Sequence, residues 1–380
     1  MEIQPGSLLA RLADLPDPRR AQGRRYPLPA ILGLLFLAVL PGQSSLRGVW
    51  LWGHLHRDRI WQPLGFRSDQ LPALTTLWNL LVHIDQQALA ELLATWLEHL
   101  GGVPLGGISA DGKVLRGSRR DAVVGLQVVT LVHHQLGLVL GQQSVTGGNG
   151  ERGALLDLVR RTPLRGRVLT LDAGLLQRGI TRVIPRHGGH FVGPVKHNHR
   201  EIKAAVDDWI VEQGIGQALA ERPPAMATTL EKNRGRIEER SLWVVDAAEL
   251  TPYLAQEYGW WHIQQVGWLQ RRQKRRPHLP WQTQEVTMVT RLPRAQADAR
   301  TVLRLLRDHW VIENKVHRVR DGGYAEDQGH GRKIGQALAW ARNVAISLIR
   351  HYGLRYIPDG WRIGSAQPQV LLQWLMQTEN

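Results

Sequence analysis

Two aspartates stand in the same local setting, and their side chains could share one site. Asp111 ends the short apolar run "ISAD", Asp172 ends the run "VLTLD", and a glycine follows each within two residues. In an α/β sheet, groups at the carboxyl ends of strands face the functional crevice. If the two strands are neighbours, the two carboxylates can hold a hard cation such as Mg²⁺ or Mn²⁺. The alternative is that each aspartate only begins a turn after a strand, a position that Asp often takes.

A third acidic residue, Glu313, lies in a segment with helical periodicity. At about 100° per residue, the stretch Thr301–Arg320 forms a helix whose apolar face carries Glu313 between Leu306 and Val316. A carboxylate that is held against a core needs a cation or hydrogen-bond donors. The pattern therefore predicts either an ion pair with Arg320 or a metal ion that Glu313 shares with the two aspartates.

The charge of the chain favours a polyanionic partner. The 380 residues include 48 Lys and Arg against 33 Asp and Glu, which gives a net charge of +15 and no cysteine for a thiolate metal site. Such an excess of positive charge steers nucleic acid toward a protein, although a solvated basic surface is the alternative. Two divalent ions about 4 Å apart can activate a water or a 3′-hydroxyl in phosphodiester cleavage. Three carboxylates in a basic protein therefore point to strand chemistry on nucleic acid.

The elements that must position these residues change in character along the chain. Residues 1–103 have the pattern of an all-helical domain, in which the longest apolar run is Ala30–Leu40. That run is shorter than the about 20 residues that span a bilayer, and it predicts a buried helix. Strand-like runs and helical stretches then alternate over 104–220, which predicts a mixed α/β unit. Residues 221–297 predict a β-rich insertion, after which helical patterns return.

Six motifs follow one another in a fixed order: "ISADGKVLRGS", "LTLDAGLLQRGI", "GGHFVGPVKHN", "RGRIEER", "HWVIENKVH" and "AEDQ". In this order they resemble the bacterial insertion-sequence transposases of the H-repeat-associated group, which are DDE enzymes with an RNase H-like fold. The resemblance covers roughly residues 12–352. It implies a DNA-associated helical domain at 1–103, a catalytic domain at 104–220 and 298–352, the β-rich insertion at 221–297, and a C-terminal tail at 353–380.

The resemblance also implies a chemistry and a partner. Asp111, Asp172 and Glu313 would form the catalytic triad and would bind two Mg²⁺ ions, for which Mn²⁺ can substitute. The enzyme would cleave double-stranded DNA at transposon ends and transfer the strand into target DNA. It would act as a homodimer or a larger assembly on the bacterial nucleoid in the cytoplasm, without a membrane.

Six residues in or near these motifs are candidates for contacts with DNA: Lys113, Lys196, Asn198, Arg236, His309 and Arg320. Many relatives carry Tyr-x2-Arg-x3-Glu-x6-Lys around the glutamate, and this chain has Leu306, His309, Glu313 and Arg320 at those positions. His309 could therefore take over a phosphate contact. The alternatives are a solvated strand-end lysine for Lys113 and a half-exposed strand for Arg236, whose neighbouring arginines could also follow a phosphate backbone.

Several charged stretches leave alternatives open. The run "QRRQKRRP" at 270–277 is a candidate contact for a DNA backbone, or else a solvated loop. Glu326 and Asp327 rival Glu313 as the third ligand, although their glycine-rich surroundings favour a structural role. Departures from the family pattern at His190, Leu306 and Arg234 motivate a second hypothesis, a domesticated or inactive descendant that only binds DNA. A nuclease of the same fold without strand transfer is the third.

Overall fold

A computed structural model of the chain describes residues 3–67, 70–100, 106–118, 125–145, 150–214, 226–233, 235–276, 278–329 and 331–376. The chain forms two compact units. The terminal unit comprises Met1–Pro104, Gly112–Ala154 and Val311–Asn380, and the central unit comprises Leu105–Asp111 and Leu155–Trp310. The predicted boundaries near residues 103 and 220 lie outside the described residues, as does Arg234. The predicted domain limits therefore stay a prediction.

The central unit is built on a mixed sheet. Its strands are β1 (Gly107–Leu115, up to Asp111 in this unit), β4 (Val168–Leu171), β5 (His190–Val195), β6 (Ala227–Asn233), β7 (Arg236–Asp246), β8 (Gln265–Lys274) and β9 (Gln282–Thr290). They are hydrogen-bonded in the order β1-β4-β5-β9-β8-β7-β6. The first three are parallel, and all pairings from β5 onward are antiparallel. All four residues of β4 are buried, as is typical of a parallel strand covered on both faces.

The β-rich segment continues this sheet. Strand β9 pairs with β5, and β8, β7 and β6 follow by hairpin-like antiparallel pairings. The helix Ala299–Asp308 packs on β5, β6 and β7. Its apolar residues Val302 and Leu303 join a core with Val192, Leu242 and Met288. The β character predicted for this stretch is therefore present, and its strands share a core with the parallel strands.

The other helices of the central unit cover the sheet. They are the greater part of Gly150–Arg161, together with Arg178–Arg186, Arg200–Glu212 and Thr251–Tyr258. The helix Arg178–Arg186 packs on β5, and Arg200–Glu212 packs on β8 and β9. The second of these buries Ile202, Val206 and Ile210 at a spacing of four residues, which places them on one face of the helix.

The terminal unit is mainly helical. Its helices are Leu8–Arg11, Leu28–Val39, Leu46–Leu55, Arg57–Ile60, Leu74–His83, Gln86–Leu100, Arg318–Gly322, Gly335–His351, Ile357–Ala366 and Pro368–Met376. Strands β2 (Leu126–His133) and β3 (Val139–Ser144) are antiparallel to each other. In this unit the strand order is β3-β2-β1, and β1 contributes only its second part, from Gly112 onward. The predicted α/β class with a mixed sheet is confirmed.

Two helices form the centre of the terminal unit. Leu28–Val39 is apolar on every face and is buried over nearly its whole length, because a helix without a polar face has no side that tolerates water. It packs against Gly335–His351, which is also buried along most of its length. The prediction of a buried helix at Ala30–Leu40 is confirmed. Residues 357–376, in the predicted tail, form two helices, and Pro368–Met376 packs on Leu8–Arg11 and Leu28–Val39.

Across the described residues, no helix combines the length and apolarity that crossing a membrane requires.

Candidate active site

Asp111 and Asp172 each directly follow the last paired residue of two neighbouring parallel strands, Asp111 within β1 and Asp172 just after β4. Strand β1 pairs with β4 from Gly107↔Val168 to Ala110↔Leu171. This register has an offset of 61 residues (168 − 107), which is the same offset that separates Asp111 from Asp172 (172 − 111). The strands that lead to the two aspartates are therefore neighbours, which is the condition on which a shared site depends. Adjacent parallel strands lie about 4.8 Å apart, so the two carboxylates can bind a common cation.

The chain does not turn after Asp111, in contrast to the expectation from "ISADG". Strand β1 continues to Leu115, so Asp111 is an interior residue of the strand. The absence of a side chain at Gly112 is explained by a neighbouring residue and not by a turn. A Cβ atom added to Gly112 would lie 2.2 Å from Oε1 of Glu151, so the carboxylate of Glu151 occupies the space that a side chain would need. Nothing in the local sequence pattern indicated Glu151.

Asp172 is both a turn residue and a candidate ligand. The backbone N–H of Leu175 donates a hydrogen bond of 2.8 Å to Asp172 Oδ1, which fixes the loop after β4. Asn198 donates from Nδ2 to the carbonyl oxygen of Ala173 at 2.7 Å, and so it lies beside this loop. Lys196 is exposed directly after β5, the strand next to β4. The structure therefore brings Lys196 and Asn198 to the edge of the sheet where β4 ends.

His309 lies next to the two aspartates. Its Nδ1 forms a hydrogen bond of 3.1 Å with Thr170 Oγ1, and its carbonyl oxygen accepts a hydrogen bond of 2.9 Å from Ser109 Oγ. Burial lowers the pKa of His309, while the negative charges of Asp111 and Asp172 act in the opposite direction. The imidazole is therefore neutral near pH 7 and holds the end of the helix Ala299–Asp308 on strands β1 and β4.

Glu313 is not on the face that the sequence predicted. The regular helix ends at Asp308, and Ile312–His317 forms a π-helical turn before the helix Arg318–Gly322. The turn rotates the apolar face, so Ile312 and Val316 are buried whereas the Glu313 side chain is 49% exposed. The prediction of a carboxylate held against the core is wrong, because it assumed 100° per residue throughout. Turns of this kind are frequent at functional sites.

The environment of Glu313 keeps its carboxylate charged. His317 Nδ1 lies 3.5 Å from Glu313 Oε2. The hydrogen bond with His317 lowers the pKa of Glu313, and the positive charges of Lys113 and Arg318 add to this effect. A carboxylate and an imidazole at this distance could both bind a divalent cation. His317 was not among the predicted residues, although its position four residues after Glu313 places it one turn further along the helix.

Arg320 pairs with Glu326 and not with Glu313. Its side chain is fully buried, and its Nε and Nη2 each donate a hydrogen bond of 2.9 Å to Glu326. Gln142 and Asn343 accept further bonds from it. Burial alone would raise the pKa of Glu326, but the charges of Arg320 and Arg342 lower it. Arg320 and Glu326 are therefore structural residues, the role favoured for Glu326 from the sequence.

The remaining predicted DNA contacts have partners within the protein. The Lys113 ammonium pairs with Asp321, and its side chain is 9% exposed, so it is not a solvated lysine. Arg236 donates to Gln273 Oε1 at 3.2 Å across β7 and β8. Most of the run "QRRQKRRP" lies in β8, where Arg271 pairs with Glu238 and Arg272 with Glu239. Glutamates on β7 thus offset two of the five positive charges that made this run a DNA candidate.

The chain is similar to known proteins along most of its length. Residues 9–97 match the family described as "DDE_Tnp_1-associated", and residues 104–349 match "Transposase DDE domain". "Putative transposase YncI" of Escherichia coli O157:H7 is 25% identical over 360 residues, with 92% of this chain and 88% of that protein covered. "H repeat-associated putative transposase YhhI" of Escherichia coli K12 is 24% identical over 364 residues, with coverage of 92% and 91%. Among solved structures, the piggyBac transposase synaptic complex with hairpin DNA has a TM-score of 0.46 at 9% identity, with 97% of this chain and 77% of that chain covered.

Proposed function

This chain belongs to the transposase family with a DDE domain, and on that premise we propose that it is a metal-dependent DNA transposase. It would cleave double-stranded DNA at transposon ends and transfer the resulting strand into target DNA. The observation that supports this proposal is the register of β1 and β4, which pairs Ala110 with Leu171, the residues directly before Asp111 and Asp172. Two like charges in adjacent positions repel each other, and a bound cation relieves that repulsion.

The donor set fits a hard divalent cation. Asp111, Asp172 and Glu313 offer carboxylate oxygens, the ligands that Mg²⁺ and Mn²⁺ prefer. We propose that these three residues hold two Mg²⁺ ions, with Mn²⁺ as a substitute, and that the chain acts as a homodimer or larger assembly. Bound there, divalent ions would activate the attacking hydroxyl and stabilise the leaving oxygen of the phosphodiester.

The other residues would orient the site and the DNA. His309 is neutral and hydrogen-bonded to Thr170. It would therefore hold the end of the helix Ala299–Asp308 against β4, and it would not repel a bound cation. His317 would hold the Glu313 carboxylate in place. Lys196 and Asn198, which are exposed after β5, would contact phosphates on the substrate, and Arg236 is a further candidate on β7.

The proposal is tested with purified protein, Mg²⁺ or Mn²⁺, and DNA that carries the sequences bordering the gene. Asp111→Asn, Asp172→Asn and Glu313→Gln remove a charge with little change of shape. Even groups behind metal ligands contribute about 10–100-fold to activity, so each variant should cleave at least roughly 100-fold more slowly. Asp58→Asn, which changes an exposed aspartate of the terminal unit, is the matched control and should cleave like the parent.

Three outcomes separate the alternatives. Cleavage by all three variants at the parental rate would refute the assignment of the site. Salt-sensitive DNA binding without any metal-dependent product would favour the domesticated DNA-binding descendant. Cleavage without joining, when pre-cleaved ends and target DNA are supplied, would favour the nuclease.

A further inference from the structure

A cavity of about 720 Å³ lies within the terminal unit. It is bordered by the helices Leu46–Leu55, Leu74–His83 and Gly335–His351. The volume is within the range of roughly 300–1,000 Å³ that is typical of small-molecule sites. The residues that line it in the described part of the chain do not include Asp111, Asp172 or Glu313. It is therefore distinct from the proposed catalytic site.

The wall of the cavity is apolar, with an aromatic side chain at its exposed part. Leu46, Leu115 and Leu338 are buried and form apolar wall. Trp78 lines the same cavity and is 40% exposed, and Asn79 beside it is also exposed. An indole that is half in water offers a flat face to a planar ring, and a carboxamide can both donate and accept hydrogen bonds at the edge of such a ring.

The charged residues of the cavity favour an anion. Arg47 lines it and is exposed. At its buried end, Arg342 donates to Glu326 at 2.8 Å and to the carbonyl oxygen of Ser44 at 2.9 Å. Arg320 also pairs with Glu326, so two buried guanidinium groups share one carboxylate. The cluster therefore keeps an excess of one positive charge beside the cavity, where burial makes the interaction with an anion strong.

We propose that this cavity binds a single unpaired nucleotide of the DNA substrate. The base would stack on Trp78 with its edge near Asn79, and its phosphate would lie toward Arg47. A flat ring, a hydrogen-bonding edge and an anionic group are the features of a nucleoside phosphate, and the net charge of +15 favours one that is attached to DNA. The inference rests on the proposed action on DNA, and it assigns a role to the N-terminal helices.

The test uses the full chain and two DNA hairpins of equal length. One carries a single bulged 2-aminopurine nucleotide, and the other is fully paired. One base stacked on an aromatic ring contributes roughly tenfold in affinity, which is about 1.4 kcal/mol. We expect the parent to bind the bulged hairpin about tenfold more tightly than the paired one. Trp78→Ala should abolish this preference and leave affinity for the paired hairpin unchanged.

Two further variants keep the inference falsifiable. Thr75 lines the cavity and is exposed, so Thr75→Trp should fill the cavity without disturbing the core and should also abolish the preference. Trp261→Ala is the matched control, because Trp261 is 38% exposed and lies in the central unit; it should keep the preference. A parent with no preference, a Trp78→Ala protein that retains it, or a Trp261→Ala protein that loses it would overturn the inference.

The same measurements separate this inference from the proposed function. If the parent binds neither hairpin at low salt, the proposed action on DNA fails. If it binds both equally, only the inference about the cavity fails. Free deoxyadenosine monophosphate should compete for the cavity only weakly. If it competes as tightly as the bulged hairpin binds, the ligand is a free nucleotide, and the DNA-attached occupant is refuted.

Discussion

Replacing Glu326 with glutamine tests whether the buried cluster around Arg320 stabilises the terminal unit. In the folded protein, the side chains of Glu326, Arg320 and Arg342 are 3%, 0% and 5% exposed. Glutamine has nearly the shape of glutamate, but it has no charge and only one acceptor oxygen. The substitution therefore leaves two buried guanidinium groups without a counter-charge, and no cavity is created.

The expected loss follows from the hydrogen bonds. Glu326 accepts two bonds of 2.9 Å from Arg320 and one of 2.8 Å from Arg342. Breaking a buried ion pair on one side costs about 3–5 kcal/mol, because the remaining charge stays buried. The neighbouring Asp327 lies 3.8 Å from Arg116, whose side chain is 68% exposed. An exposed pair of this kind is worth about 0–1 kcal/mol, so Asp327→Asn is a matched control.

Hydrogen exchange read by mass spectrometry gives a local measurement. The amides of the helix Gly335–His351, which carries Arg342, should exchange roughly two to four orders of magnitude faster in Glu326→Gln, since a factor of ten corresponds to about 1.4 kcal/mol. Amides of β7 in the central unit should not change. If Glu326→Gln accelerates exchange no more than Asp327→Asn, the cluster is not a source of stability.

The same contribution depends on pH in a defined direction. The charges of the two arginines lower the pKa of Glu326 below its ordinary value of 4.5 in the folded protein. In the unfolded chain the carboxyl group takes up its proton first as the pH falls. The stabilisation is therefore complete above pH 4.5 and is lost as the pH falls from 4.5 through the folded pKa. Glu326→Gln should remove this part of the acid dependence.

Three other predictions follow from single contacts. Gly112→Ala should slow cleavage less than about tenfold, because the atom nearest its Cβ, Glu151 Oε1 at 2.2 Å, ends a flexible side chain that can move, and Glu151→Ala in the same chain should restore the parental rate. Lys196→Gln should reduce the magnitude of the negative slope of log affinity against log salt by about 0.9. Arg271→Gln should leave this slope unchanged, since Glu238 already pairs with Arg271. His309→Arg would put a permanent cation beside Asp111 and Asp172, and it should raise the Mn²⁺ concentration needed for half-maximal cleavage about tenfold. The neutral His309→Gln should raise this concentration less. Equal increases in the two variants would contradict the electrostatic explanation.

The position of Asp111 and Asp172 after short buried strand segments could be predicted because it depends on local patterns. Each aspartate follows a short apolar run, and such runs form buried parallel strands when helices lie between them. The sequence could not show that β1 and β4 are adjacent. It supplied two similar apolar runs, and the hydrogen-bonded register showed that their strands are neighbours. The mixed sheet and the helical terminal residues were predictable for the same reason, because they follow from hydrophobic periodicity.

The positions of Glu313 and Arg320 could not be predicted in this way. A helical pattern over twenty residues assumes a constant rotation, and the π-helical turn at Ile312–His317 breaks that assumption. The partner of Arg320 is Glu326, which begins a short 3₁₀ helix, Glu326–Gln328. Its other partner residues come from β3 and from the helix Gly335–His351. Ion pairs between distant segments depend on tertiary packing, and a single sequence does not contain that information.

The Asp111-Gly112 pair indicated a candidate site residue correctly, although the turn that it suggested is not present. A glycine after an aspartate suggests a turn, and the aspartate beside it was indeed worth singling out. Yet β1 runs straight through this position to Leu115, and the glycine makes room for the carboxylate of Glu151, a residue on the first turn of the helix Gly150–Arg161. A side chain at position 112 would displace that carboxylate, which is the end of a flexible side chain, so the strand and Asp111 can stay in place. The glycine therefore determines where the Glu151 carboxylate lies, and the position of Asp111 depends on the pairing of β1 with β4.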